Sequence, residues 1–453
     1  MQLKNPDKVL IILLTGVFIG AFDIAVTGPA IASIKQYFNV DQRLLSWIFS
    51  INVLFTLVFT PFITRLSDVF GRIKIFTISL LIFLTGLLFV VLSQNYYCLL
   101  AGRAIQGIGV GGIFPVVPAI IGEYFPVSKR GHALGLIGGV FGVANIIGPL
   151  VAGFILISWS WKLLFVINIP LVVFVIISAI KVLPKDKIKH KLKFDVLGSI
   201  LLGLAIGTFA FGINKINTHD IFNSLLNDFF LYFIFSVFIF LILIFVEKRA
   251  ENPVISTKFF KSRQIKIAFA LALGTGFFQA CFIFFPNMLS ENLNITASKA
   301  SFMLLPIVLA MSVGAPLAGK IVDITGSKKV LLTGLSFVFV GLIIISIFTA
   351  TNLYYFAGFV FGLGLSSLES SGVRYIMLNE VNPDERATAQ GMVSIFISSG
   401  QLISASLIGA VAASYSGIFS SGYNYSFLLI SILALLLIVI GFFLKSKNNE
   451  IDE

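Results

Sequence analysis

Charge is the first thing this chain has little of. Asp, Glu, Lys and Arg together make up 11% of its 453 residues, where a soluble domain carries about a quarter, and that excludes an ordinary soluble enzyme. Cysteine is scarce too. Cys98 and Cys281 are the only two, both inside apolar stretches, so neither a disulfide framework nor a cysteine metal site is implied. No histidine falls within an apolar stretch and no zinc spacing occurs. The phosphate loop G-x-x-x-x-G-K-[ST] is missing as well, which argues against transport powered directly by ATP. What the chain has instead is hydrophobicity, with 58% apolar residues and a mean hydropathy of +1.02. It reads as a polytopic membrane protein.

Roughly 20 apolar residues cross a bilayer core of about 30 Å, and on that measure the chain holds fourteen spans. The first six are Val9–Ile34, Leu44–Ile63, Ile75–Leu92, Tyr97–Ile121, Leu134–Ile157 and Leu163–Ile180. Val196–Ile213 and Phe229–Val246 follow. The last six are Ile267–Leu289, Ala300–Ala318, Val330–Ala350, Tyr355–Leu378, Met392–Ala413 and Tyr425–Leu444. The first run follows Lys4 and Lys8, is too long for a signal h-region and has no small-residue cleavage site, so it is expected to be retained as a span.

The formal charge of +12 does not mark a nucleic-acid surface, because the basic residues sit in short loops beside apolar spans, where they report orientation. With both termini in the cytoplasm, 25 of the 32 Lys and Arg lie inside. Five lie outside (Lys35, Arg43, Lys162, Lys215, Lys299), and Arg103 and Arg374 lie within spans. The six lysines between Lys181 and Lys193, with Pro184, read as a solvated inner linker.

The chain is also duplicated. The loop T-R-L-S-D-V-F-G-R-I-K (Thr64–Lys74) is echoed by G-K-I-V-D-I-T-G-S-K-K (Gly319–Lys329), placing Asp68 against Asp323 and Gly71 against Gly326 at an offset of 255. At an offset of 256, Ala101-Gly102 matches Ala357-Gly358, Arg130 matches Arg386 and Gly135 matches Gly391. Six spans need roughly 200 residues at the usual span and loop lengths, so the surplus is an insert carrying the seventh and eighth spans. The expected domains are residues 1–183, an insert over 184–262, and residues 263–453.

A charge within a span costs at least ~2.5–3.5 kcal/mol on insertion scales, so the few that occur are informative. They are Asp23, Arg103, Glu369 and Arg374. At 1.5 Å per residue Asp23 and Arg103 both fall ~21 Å from the cytoplasmic edge, and opposite charges at one depth are expected to pair if their helices are neighbours. A fixed ion pair holding two helices in register and a proton-linked pair both fit; intramembrane carboxylates more often mark proton or ion routes. Glu369 fits a second protonation site, a recognition site for cationic substrates, or a vestibule carboxylate. Arg374, five residues further in, is expected to snorkel. In the second half the offset of 256 carries Asp23 onto Gln279 and Arg103 onto Phe359, so charge is concentrated in the first half. Most of the 48 phenylalanines are expected to face lipid.

Several stretches resemble the major facilitator superfamily, and within it the fourteen-helix drug:proton antiporter branch. The duplicated loop is similar to the superfamily's cytoplasmic signature G-x-L-x-D-R-x-G-R-K, with Thr64 for the first glycine and Val69 for the arginine, leaving Asp68, Gly71 and Arg72. A-F-D-I-A-V-T-G-P-A-I-A in the first span resembles L-D-x-T-I-V-N-V-A-L-P, with Asp23 on the acid and Thr27 replacing the asparagine. L-L-A-G-R-A-I-Q-G-I-G-V-G-G resembles R-x-x-Q-G-x-G at Arg103, Gln106, Gly107 and Gly109. G-P-L-V-A-G resembles the antiporter motif G-P-x-x-G-G at Gly148, Pro149 and Gly153, with Ala152 for one glycine. W-K-L-L-F-V-I-N-I-P (Trp161–Pro170) is similar to W-R-W-I-F-L-I-N-V-P of that branch.

The resemblance implies an all-α major facilitator fold, two six-helix bundles plus two additional helices, fourteen transmembrane helices in all, working by alternating access. It implies proton-coupled export of lipophilic or amphipathic compounds from a bacterial cytoplasmic membrane by a monomer. No enzyme activity, cofactor, metal or nucleic-acid partner is expected; the partners are a small-molecule substrate, protons and the bilayer. Asp23, Arg103 and Glu369 are the expected proton-coupling residues. Gln106, Asn145 and Gln279 are candidates for lining the substrate path. Asp68, Gly71, Arg72, Asp323 and Gly326 form the conformational signature loops. A tetracycline–metal/proton antiporter and a flippase for a lipid or cell-envelope precursor share these features and stay open.

Overall fold

Apolar runs in a bilayer must satisfy every backbone group internally, and the helix does this within one segment. The computed structural model is accordingly all α-helical among the residues it describes, 6–125, 127–184, 196–249, 254, 257–348, 350–381, 386–415 and 421–445. The first half comprises α1 (Pro6–Phe38), α2 (Gln42–Phe70), α3 (Arg72–Leu92), α4 (Tyr96–Tyr124), α5 (Val127–Ser158), α6 (Lys162–Val166) and α7 (Asn168–Val182). The insert carries α8 (Val196–Asn214), α9 (Ile221–Asn223), a π-helical turn (Ser224–Phe229) and α10 (Phe230–Glu247). A short 3-10 turn (Thr257–Lys261) leads into α11 (Arg263–Leu293), α12 (Ala297–Phe302), α13 (Leu305–Thr325) and α14 (Ser327–Ile347). Then come α15 (Thr351–Ser367), a π-helical turn (Leu368–Gly372), α16 (Val373–Glu380), α17 (Arg386–Ser414) and α18 (Gly422–Gly441).

Among the described residues, thirteen helical stretches are long and apolar enough to cross a membrane. The fourteenth, from Thr351 to Glu380, is helical throughout, but its π-helical turn leaves an uninterrupted α-helix of only 17 residues. The architecture is a fourteen-span one, and the expected spans are all found. Besides Thr351 to Glu380, the twelfth in chain order, two differ from expectation in being broken. The sixth is α6 plus α7, and the tenth is α12 plus α13. Each break has the same cause. Proline lacks an N–H and its ring crowds the carbonyl four residues earlier; α6 ends at Val166, four before Pro170, and α12 ends at Phe302, four before Pro306.

The described chain forms two compact units. The first takes in Met1–Val40, Trp47–Leu204 and Phe240–Pro253; the second takes in Asp41–Ser46, Ala205–Ile239 and Val254–Glu453. In the first, α3 packs along α4, α1 along α5, and α7 against α1 and α3. In the second, α14 packs along α15, α11 along α17, and α18 against α14. The same span pairs therefore recur in both halves, as the sequence duplication requires. Polar side chains end several helices: Asn95 caps α4, Ser262 caps α11 and Thr296 caps α12. The C-terminal part of α8 and the N-terminal part of α10 run antiparallel. Ser236 Oγ donates to the Ala205 carbonyl at 2.8 Å, and Phe209 meets Phe229 and Phe233 ring to ring. Phe235, Phe238 and Phe245 on α10 are exposed, as lipid-facing side chains are in a span.

Candidate functional site

Three side chains from α1 and α4 meet in the interior of the first unit. Arg103 Nη1 donates to Asp23 Oδ2 at 2.6 Å and to Gln106 Oε1 at 2.8 Å, and Gln106 Nε2 donates to Asp23 Oδ1 at 2.9 Å. The triangle is closed, and all three residues are fully buried. Arg103 and Gln106 are neighbours because residues three apart share a helix face. The arginine is held from several sides. Its Nε donates to the Ile48 carbonyl at 3.2 Å, its own carbonyl accepts from Asn52 Nδ2 at 3.1 Å, and its guanidinium carbon lies 5.9 Å from the centre of the Phe165 ring. Arg103 Nη2 has no hydrogen-bond partner among the described residues. Thr27, where the resembling motif has asparagine, is buried one turn from Asp23 and donates to the Asp23 carbonyl at 2.6 Å.

The G-P-L-V-A-G stretch lies beside this triad. α5 runs unbroken through Pro149, and Gly148, Pro149 and Gly153 are all buried. A Cβ on Gly148 would stand 2.5 Å from the Ala25 Cβ, so the glycine sets the close approach of α5 to α1 two residues from Asp23. Asn145, a turn earlier on α5, is half-buried. Gln106, a candidate for lining the substrate path, is fully buried and has both amide atoms engaged within the triad.

A second polar cluster occupies the second unit. Gln401 Nε2 on α17 donates to Gln279 Oε1 on α11 at 2.6 Å, and Gln279 Nε2 donates to Glu369 Oε1 at 2.5 Å. Glu369 sits on the π-helical turn that interrupts the twelfth span, a feature often found at functional positions. Gln401 was not among the expected residues. The duplication held a signal for it: the offset of 256 that takes Asp23 to Gln279 also takes Asn145 to Gln401. Arg374 is exposed and exchanges hydrogen bonds with Gln390.

At the signature loops, Gly71 (φ 104°) and Gly326 (φ 84°) both take the positive φ that favours glycine. Arg72 pairs with Asp68 at 3.1 Å and with Glu123, near the end of α4, at 3.3 Å, and donates to the Ala119 carbonyl at 2.6 Å. Glu123 is a member of this group that the loop motif alone does not show. The side chains of Asp323 and Arg386 lie outside the described residues.

The triad can exist in two charge states. With Asp23 ionised it is a neutral, mutually bonded set. A proton on Asp23 removes the negative charge, and Arg103 then keeps the Gln106 amide oxygen, the Ile48 carbonyl and the Phe165 ring face as partners already in place.

Residues 13–260 and 267–451 match the sequence profile of the Major Facilitator Superfamily. The chain belongs to that superfamily. It is 28% identical over 424 residues to multidrug resistance protein 3 of Bacillus subtilis, covering 92% of this chain and 80% of the relative. It is 27% identical over 429 residues to the riboflavin transporter RibZ of Clostridioides difficile, covering 94% and 90%. The solved structure of the peptide transporter POT, a point mutant, superposes with a TM-score of 0.70 at 15% identity, covering 97% of this chain and 96% of that one, which shows the shared fold. This superfamily member is a multi-pass transporter of small molecules, of bacterial type, and not an enzyme.

Proposed function

We propose that the chain exports lipophilic or amphipathic compounds across the bacterial cytoplasmic membrane in exchange for protons, with both termini in the cytoplasm and one chain as the working unit. The observation that carries this reading is the buried Asp23–Arg103–Gln106 triad, a carboxylate whose cation has alternative partners within reach. In this reading residues 1–183 and 263–453 are the two transporting halves, and the insert over 184–262 adds α8 and α10. Asp23 takes a proton from outside, and releases it inside as the transporter passes through alternating access. Gly148 and Pro149 hold α5 against α1 while this happens. The similarity to a multidrug resistance protein supports export; RibZ places a flavin among the compounds to be tried. A ΔpH of one unit supplies about 1.4 kcal/mol per proton, enough for a tenfold substrate gradient.

The test is accumulation in inverted vesicles under an imposed ΔpH, with a panel of cationic dyes, neutral antibiotics, tetracycline with and without divalent metal, and riboflavin. Uphill, ΔpH-dependent uptake of a panel member that Asp23→Asn abolishes supports the reading. Transport that ignores ΔpH, or survives Asp23→Asn at full rate, overturns it.

A further inference from the structure

Three sets of carboxylates at or beside the spans are held in ion pairs. Asp23 faces Arg103, Asp68 and Glu123 share Arg72, and Glu380 meets Lys445 at 3.0 Å. Glu369 differs. Among the described residues it forms no ion pair, although it lies within a span where an unpaired charge is costly. The next cation along its own helix, Arg374, is turned to Gln390, donating to Gln390 Oε1 at 3.2 Å while its carbonyl accepts from Gln390 Nε2 at 3.0 Å.

What faces Glu369 is a directed chain of amides. Gln401 donates to Gln279, and Gln279 donates to Glu369 Oε1, so each amide points its N–H toward the carboxylate and supports its charged form. The chain is built on a close helix crossing. A Cβ on Gly276 would meet the Ile397 carbonyl and lie 2.7 Å from the Gln401 nitrogen; one on Gly400 would meet the Leu273 carbonyl and lie 3.2 Å from the Gly276 Cα. Backbones this close hold the two glutamines in register. The π-helical turn places Glu369 against them, and the residue keeps part of its surface accessible. Its Oε2 takes no hydrogen bond from a described residue. The cluster is thus a braced carboxylate with one oxygen occupied and no cation in contact, the charge of Arg374 reaching it only from a distance, unlike the sealed and fully paired Asp23.

We infer that Glu369, braced by Gln279 and Gln401, is a subsite for the positively charged group of a substrate, an ammonium, amidinium or aromatic iminium. This rests on the export reading above and names the substrate class it favours. The substrate's charge supplies the contact partner that Arg374, turned to Gln390, does not. Gln401 acts only through Gln279 and is a positioning residue.

The test is equilibrium binding to the purified full-length transporter with two probes, the monocation ethidium and neutral chloramphenicol, at one pH. Glu369→Gln is expected to weaken ethidium about tenfold or more, the equivalent of about 1.4 kcal/mol, and to leave chloramphenicol within about twofold. Glu369→Asp, which keeps the charge, should retain a preference for ethidium, and Gln401→Leu should weaken ethidium by a smaller factor without moving chloramphenicol. Unchanged ethidium binding in Glu369→Gln, an equal loss of both probes, or a wild-type protein that binds neither would overturn the subsite. So would loss of ΔpH-driven chloramphenicol efflux in Glu369→Gln with binding intact, because Glu369 would then be carrying protons. If the Glu369-dependent preference for ethidium holds while Asp23→Asn retains uphill efflux, the coupling assigned to Asp23 falls and the subsite stands.

Discussion

Asp23 and Arg103 lie 80 residues apart in the sequence and meet at 2.6 Å with both side chains sealed in the interior. Such a pair contributes little net stability, since the cost of drying two charges offsets their attraction. Its cost falls instead on any state that removes one partner, and this is what makes it useful as a switch. A proton on Asp23 is such a removal, and the partners waiting for Arg103 determine how well the transporter tolerates it.

Asp23→Asn fixes the neutral state. It is expected to abolish ΔpH-driven efflux while allowing substrate to equilibrate downhill, because the proton-carrying step is lost but the helices keep their packing. Counterflow in proteoliposomes measures the downhill arm. Full uphill transport by this variant would remove Asp23 from the coupling step.

The energetics can be tested apart from transport. Arg103→Met strands Asp23, and Asp23→Leu strands Arg103; each should cost about 3–5 kcal/mol, read as a lower melting temperature in detergent. The double variant replaces the pair with apolar contacts and should recover much of that loss. Strict additivity of the two losses would mean that the residues do not depend on each other.

The spans, the duplication and the Asp23–Arg103 match in depth were legible because each leaves a strong mark: a long apolar run, a repeated turn glycine, or a charge where charge is expensive. The helix breaks at Val166 and Phe302 were encoded by Pro170 and Pro306, but a hydropathy window averages over a single missing N–H. Gln401 was missed because an uncharged amide in a span costs little and stands out little. Glu123 was missed because it joins Arg72 from α4, far from the loop motif in sequence. The π-helical turn under Glu369 has no proline or charge run to announce it.

Gly148→Ala tests the α1–α5 contact. The added Cβ must displace Ala25, and overpacking of this kind typically costs about 1–3 kcal/mol. The variant should melt earlier in detergent, and Ala25→Gly should restore part of the loss by reopening the space. A Gly148→Ala protein as stable as wild type would show that α5 does not press on α1 at this point.

The Lys and Arg asymmetry predicts that a reporter fused at Asn217 scores outside and one at Lys189 scores inside. Lys189 lies outside the described residues, so the fusion is the direct measurement. Both fusions on one side would overturn the fourteen-span topology with cytoplasmic termini.

The signature loop is expected to control turnover and not affinity. Arg72 is shared between Asp68 and Glu123, and its pairing with each is partly exposed, so either pair alone contributes up to about 1 kcal/mol. At 1.36 kcal/mol per factor of ten, Asp68→Asn should slow transport no more than about fivefold while Glu123 keeps its hold on Arg72. Removing both with Asp68→Asn and Glu123→Gln should slow it well beyond the product of the single effects. Equilibrium binding of a transported probe should be unchanged in all three variants, since none of these residues belongs to either buried cluster. Gly71 bears on the same step, because at φ 104° any side chain strains the turn between α2 and α3. A loss of affinity with normal turnover in the double variant would place the loop in substrate binding and refute its conformational role.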